Sequence, residues 1–171
     1  MSQQGMKQMA ASTIHLSKQN FKFSSAHFLI FDQHRAEMLH GHNYQVKVDL
    51  RYPDETDENI DYFIDFNVFK KTIKAYLDQW DEHVLLPRLH PDMKYKISDD
   101  GKNYEIHFRE RFYSLPLNEV VWLDITNTTV EAFSKILANA FLAAFNKYRI
   151  RKVRVTVEET RGQSASTISS H

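Results

Sequence analysis

His40-Gly41-His42-Asn43-Tyr44-Gln45-Val46-Lys47-Val48-Asp49-Leu50 is the stretch that decides the architecture. Successive side chains of an extended backbone point to opposite faces. His42, Tyr44, Val46, Val48 and Leu50 therefore share one face, and Asn43, Gln45, Lys47 and Asp49 the other. An apolar face backed by a polar one predicts a half-buried strand. Upstream, Phe21-Lys22-Phe23-Ser24-Ser25-Ala26-His27-Phe28 alternates in the same way, with Phe21, Phe23, Ser25 and His27 together. Residues 31–39 between the two are mixed in polarity and read as a loop.

Beyond this pair the period changes. Phe69, Ile73, Tyr76, Leu77 and Trp80 recur at helical spacing, with Asp65 or Asn67 available as a cap. Tyr52 to Asn59 is acidic and turn-like, and Pro87 and Pro91 interrupt regular structure. Tyr95 to Phe108 predicts a hairpin with Asp100-Gly101 at its turn. Thr128-Thr129-Val130-Glu131 fits a capping box opening a second helix. Its buried face would be Val130, Phe133, Ile136, Leu137, Ala140, Phe141 and Phe145. Arg151 to Glu159 predicts a strand carrying Val153, Val155, Val157 and Glu159 on one side, and the tail from Arg161 to His171 an edge strand or a loose end. Residues 1–18 read as a flexible polar lead-in, and 19–171 as one domain with an insertion at about 87–124. Strand, strand, helix, hairpin, helix, strand, strand is an α+β order.

Composition narrows the function. With 22 Lys+Arg against 22 Asp+Glu the chain has no net charge, so it lacks the basic face by which nucleic-acid binders neutralise phosphate. No run of about 18 apolar residues predicts a membrane span. Met1 to Ser12 has no apolar signal core, which leads us to expect a cytoplasmic protein. There is no cysteine, which excludes disulfides, thiolate nucleophiles and cysteine-based zinc sites.

Nine histidines in 171 residues point toward metal or acid–base chemistry. His40 and His42, two apart on a strand, point the same way, and His27 lies on the apolar face of the neighbouring strand. Antiparallel pairing would bring the three together. Three imidazoles with an open fourth position is the pattern of a catalytic zinc site. His15, His34, His83, His90, His107 and His171 lack such geometry and read as surface or packing residues, His83 in part excepted.

Phe23-Ser-Ser-Ala-His27-Phe28, His40-Gly-His42-Asn43-Tyr44, Ile64-Asp65-Phe66, Trp80-Asp81-Glu82-His83, Asn127-Thr-Thr-Val-Glu131 and Glu158-Glu-Thr160 follow in that order. Together they resemble the 6-pyruvoyltetrahydropterin synthase / 6-carboxytetrahydropterin synthase family over about residues 21–160. The resemblance implies a tunnelling fold: a four-stranded antiparallel sheet with two helices on one face. It further implies trimers closing into an oligomeric β-barrel, stacked as a homo-hexamer with active sites between subunits, and a zinc ion (Zn2+) on His27, His40 and His42. Family members making pyruvoyl- or carboxytetrahydropterin use a cysteine just before His-Gly-His, where this chain has Ala36. Instead Glu37-Met-Leu-His40-Gly-His42 resembles a branch that cleaves the side chain of 7,8-dihydroneopterin triphosphate to 6-hydroxymethyl-7,8-dihydropterin, a folate precursor. A carboxylate at Glu37 can exchange a proton with a side-chain hydroxyl acidified by zinc.

The family's Asp-His relay is displaced here: Asp81 is followed by Glu82, and the histidine comes at His83. Either Glu82 or His83 could complete it. A pterin ring offers an N3–H and an amino group side by side to a carboxylate. The resemblance assigns that grip to Glu159, with Thr128, Thr129 and Glu131 also contacting substrate, although Glu131 serves equally as a capping-box partner. Two rival readings are a pyruvoyl- or carboxytetrahydropterin synthase using a carboxylate for the thiol, and a non-catalytic pterin- or zinc-binding module.

Overall fold

A computed structural model of the chain describes residues 12–52 and 65–171. The acidic segment after Tyr52, the Ile64 end of Ile64-Asp65-Phe66 and most of the N-terminal lead-in lie outside them. In chain order the elements are β1 (Thr13–Leu16), β2 (Lys22–His27), β3 (His40–Arg51), α1 (Phe66–Asp78), β4 (His83–Pro87), β5 (Met93–Ile97), β6 (Asn103–Phe108), β7 (Arg111–Pro116), β8 (Val120–Leu123), α2 (Val130–Phe145), β9 (Lys152–Thr160) and β10 (Gln163–Ser170).

The antiparallel pairing of β2 with β3 matches the sequence reading and sets His27 opposite His40 and Ser25 opposite His42. The sheet is larger than the expected four antiparallel strands. Among the described residues it has seven, in the order β10-β9-β3-β2-β4-β8 with β1 beside β3, and β4 runs parallel to both β2 and β8. It is an open, mixed sheet within the single chain, not a closed barrel. β4 escapes the sequence reading because a strand flanked on both sides by parallel neighbours carries a continuous apolar run, Val84-Leu85-Leu86, rather than an alternation. Pro87 sits at its last position, where a missing donor is tolerated. Thr13–Leu16 is also a strand rather than flexible lead-in: Ile14 and Leu16 are buried, but two apolar residues are too few to show a period.

Both helices pack on one face of the sheet. Phe69, Ile73 and Leu77 of α1 and Phe133, Leu137, Phe141 and Phe145 of α2 share a core with Phe23, Tyr44, Val46, Val48, Leu50, Val153, Val155 and Val157. Asp65 caps α1 by accepting from the Asn67 amide (2.9 Å). The cap of α2 lies one residue later than the capping box predicts. Thr129 accepts from the Ala132 amide (3.2 Å), while the Thr128 hydroxyl donates to the Phe28 carbonyl (2.8 Å). Thr128 is buried, so its hydroxyl must find a partner inside, and Phe28 supplies one.

The insertion is an antiparallel sheet, β5-β6-β7, with Gly101 at φ +71° in the β5–β6 turn as Asp-Gly there requires. Phe28, Ile30, Leu86, Met93, Ile106, Phe108 and Val120 form a second core between it and the main sheet, with Ala36 and Leu39 packed against it. The insertion therefore covers the end of β2 and the loop that follows.

Candidate metal centre and catalytic site

His27, His40 and His42 converge as the strand pairing predicts: one ligand nitrogen from each lies within 4.8 Å of the others. Two of the rings are oriented by backbone carbonyls. His27 Nδ1 donates to the Thr128 carbonyl (2.9 Å) and His40 Nδ1 to the Met38 carbonyl (2.8 Å), so each ring's Nε2 carries a lone pair. Such carbonyl partners are what fix the tautomer of metal-ligating histidines. Burial pushes the His27 pKa below the usual imidazole value, keeping that ring in the neutral form a metal requires. His40 Nε2 and His42 Nε2 are 2.8 Å apart. Around a tetrahedral ion, nitrogens at about 2.1 Å would sit about 3.4 Å apart, within a small side-chain adjustment.

Tyr44 strengthens the fit. Its hydroxyl lies 2.9 Å from His27 Nε2 and 3.0 Å from Glu159 Oε1. One phenolic proton cannot satisfy both acceptors, and burial together with the nearby Glu159 charge raises the Tyr44 pKa, so the phenol keeps its proton. A cation on His27 Nε2 would leave the Tyr44 proton to Glu159 and satisfy every group. Beneath the triad, Tyr44, Phe23, Trp80 and Phe133 form an aromatic floor, with Phe23 stacked on Tyr44 at 4.7 Å. That floor limits how far the rings above can shift.

Two carboxylates flank the triad. Glu37 Oε2 is 3.6 Å from His40 Nε2 and accepts from the Leu29 amide (3.1 Å). Glu159 Oε1 is 3.3 Å from His27 Nε2 and 3.7 Å from His42 Nε2. Glu159 also accepts from the Tyr44 hydroxyl, which ties this carboxylate to the triad.

The other expected residues are placed more loosely. The buried Thr128 serves His27 and Phe28, and Thr129 serves the helix cap. Glu131 is exposed and, with the cap moved to Thr129, is not its capping partner. Asp81 accepts from the Ser24 amide (2.7 Å), and His83 Nδ1 donates to the Asp81 carbonyl (2.6 Å). Glu82 between them sits at φ +60°, a left-handed conformation that turns the chain from the end of α1 into β4. A groove of about 360 Å³, lined by Ser24, Gly41, His42, Asn43, Glu82 and His83 among others, runs beside this corner and reaches His42.

Sequence reasoning left Tyr44 as a core residue, although its place two after His42 on the same face was a usable signal. It gave Asn127 no role. Asn127 Oδ1 accepts from the Ile30 amide (3.1 Å) and Nδ2 donates to the Ile30 carbonyl (2.8 Å), pinning the start of the loop that carries Glu37.

Comparison with known proteins agrees with this geometry. The family described as 6-pyruvoyl tetrahydropterin synthase matches residues 15–169. A Methanocaldococcus jannaschii protein provisionally named 6-carboxy-5,6,7,8-tetrahydropterin synthase is 30% identical over 147 residues, covering 84% of this chain and 87% of that one. The Plasmodium vivax 6-pyruvoyl tetrahydropterin synthase superposes with a TM-score of 0.82 at 27% identity, covering 95% of this chain and 99% of that one. Variants of the P. vivax protein with a glutamate, described as a catalytic residue, replaced by alanine or cysteine superpose equally well, at 26% identity. With the histidine triad, the flanking glutamates and a match running nearly end to end, the chain belongs to the 6-pyruvoyl tetrahydropterin synthase family.

Proposed function

We propose that this protein is a zinc-dependent lyase that cleaves the side chain of 7,8-dihydroneopterin triphosphate to 6-hydroxymethyl-7,8-dihydropterin. The observation that carries the reading is the Glu37 carboxylate 3.6 Å from a ligand-type nitrogen, in a chain with no cysteine to take its place. The glutamate named as catalytic in the P. vivax relative supports it. His27, His40 and His42 would hold the metal, which when bound would polarise the substrate's side-chain oxygens. Glu37 takes the proton of the hydroxyl on the second side-chain carbon. The bond between the first and second carbons breaks, its electrons pass into the ring imine, and a proton then adds to the first carbon. The triphosphate departs on a two-carbon aldehyde. His83 borders the groove beside His42 and is held by the Asp81 carbonyl, and Asp81 and His83 are proposed to return the proton. The direct test is an aldehyde trap: carbon–carbon cleavage yields a triphosphorylated aldehyde, whereas elimination releases inorganic triphosphate.

Glu159 is proposed to accept the ring's donor edge, with Thr128, Thr129 and Glu131 also contacting substrate. Glu159→Gln is expected to weaken pterin binding by about tenfold or more, because an amide presents donors to donors at about 1–3 kcal/mol. Calorimetric binding equal to that of the unmodified protein would show that the ring is held elsewhere.

A second reading, 6-carboxytetrahydropterin synthase, is favoured by the name of the M. jannaschii relative. Either chemistry is compatible with a homo-hexamer. β10 and β8 end the open sheet, and unpaired strand edges are closed by association. Light scattering is expected to give six times the 20.2 kDa chain mass, and a concentration-independent monomer would contradict this.

A further inference from the structure

The insertion supplies neither a metal ligand nor a proposed catalytic group, yet two of its arginines reach the loop that carries Glu37. Arg111, the first residue of β7, donates from Nη1 to the Glu37 carbonyl and from Nη2 to the Ala36 carbonyl (3.0 Å). The same guanidinium lies 5.7 Å from the centre of the Phe28 ring and 5.8 Å from that of Phe108. Phe28 directly follows the ligand-type His27, so Arg111 spans from the histidine strand to the backbone of Glu37. Arg109 donates to the Asp32 carbonyl (2.7 Å) and to Asp92 Oδ2 (2.8 Å) while lying over Phe108 at 4.8 Å. It occupies the two-residue β6–β7 turn at φ +55°, a conformation in which glycine or asparagine is the usual choice. Strain of this kind persists where surrounding contacts over-determine it, and here three side-chain contacts do so.

The loop's own backbone contacts are short-range. Between β2 and β3 it has one isolated bridge, Ile30 to Ala36, hydrogen bonds from the Phe31 and Asp32 amides to the Arg35 carbonyl (3.0 and 3.3 Å), and one from the Glu37 amide to the Leu29 carbonyl (2.8 Å), none of which ties Glu37 to the main sheet beyond Leu29. Because Glu37 Oε2 also accepts from the Leu29 amide, the place of the carboxylate follows the place of this backbone.

We propose that Arg109 and Arg111 form a clamp by which the insertion fixes Glu37 against the histidine triad, with Arg111 the positioning residue for the reaction. The catalytic part of this inference rests on the reading of Glu37 as the proton acceptor. A lysine at 111 cannot fork across two successive carbonyls, because an ammonium is a point charge rather than a planar pair of donors.

The test uses full-length, zinc-loaded protein with 7,8-dihydroneopterin triphosphate. Arg111→Met is expected to lower kcat by about 10–100-fold, the scale of a small misplacement of a reacting group, with KM changed less than about threefold. Metal content stays the same, and hydrogen exchange speeds up within residues 29–38 but not in the main core. Arg111→Lys should recover only part of kcat. In a Glu37→Ala background the Arg111→Met change should add less than about twofold, since its effect acts through a carboxylate no longer there. A further tenfold fall in that background, or exchange unchanged at residues 29–38, would overturn the inference. If Glu37→Ala alone left turnover intact, the reading of Glu37 would fall, and the exchange result would still decide whether the clamp holds the loop.

Discussion

Replacing Glu37 by alanine is expected to lower turnover by about 10²–10⁴-fold, the usual contribution of a positioned proton acceptor, with metal content unchanged. The separation of the two effects follows from geometry. Glu37 approaches His40 Nε2 at 3.6 Å but is not what orients the rings: His27 is held by Thr128 and Tyr44, and His40 by Met38. Its own hydrogen bond goes to the Leu29 amide at the loop's base, where water can replace it. Elemental analysis and steady-state rates on the same preparation read out the two halves. Glu37→Cys should move part of the product toward pyruvoyltetrahydropterin, because a thiolate serves elimination of triphosphate better than a carboxylate does. Full turnover in Glu37→Ala would remove the residue from the mechanism.

His42→Ala is expected to reduce zinc from about one ion per chain to a small fraction, and activity with it by more than about 100-fold. Loss of an outer partner alone costs 10–100-fold in metal affinity, and loss of a ligand must exceed that. Two imidazoles leave an incomplete and wrongly shaped shell. The substitution should spare the fold, since His42 is only partly buried whereas the Tyr44, Phe23 and Phe133 floor beneath it is intact. Zinc retained at full occupancy would show that the ion is held elsewhere.

Much of this centre is legible in the sequence because it depends on local periodicity. Alternation along 21–28 and 40–50 fixes both faces, and one antiparallel pairing then brings His27 to His40 and His42. α1 and α2 declare themselves through a stripe of apolar residues at helical spacing. What stays hidden depends on contacts distant in sequence. β4 and β8 join the sheet as parallel strands without alternation, so the mixed topology could not be read from them. The displaced cap turned on a hydroxyl 100 residues from its carbonyl partner, Thr128 to Phe28. The nearness of Glu159 to the triad is hidden as well, since only the pairing of β9 with β3 brings it to the Tyr44 hydroxyl. Arg111 gave no signal, since an arginine after a turn is ordinary until the loop it grips is in view.

The central claim is that a carboxylate beside a three-histidine metal centre directs the reaction to carbon–carbon cleavage. The measurement that meets it most directly is chromatography of the pterin products formed from 7,8-dihydroneopterin triphosphate by the zinc-loaded, unmodified protein. We expect 6-hydroxymethyl-7,8-dihydropterin as the main product. Pyruvoyl- or carboxytetrahydropterin alone would contradict that assignment.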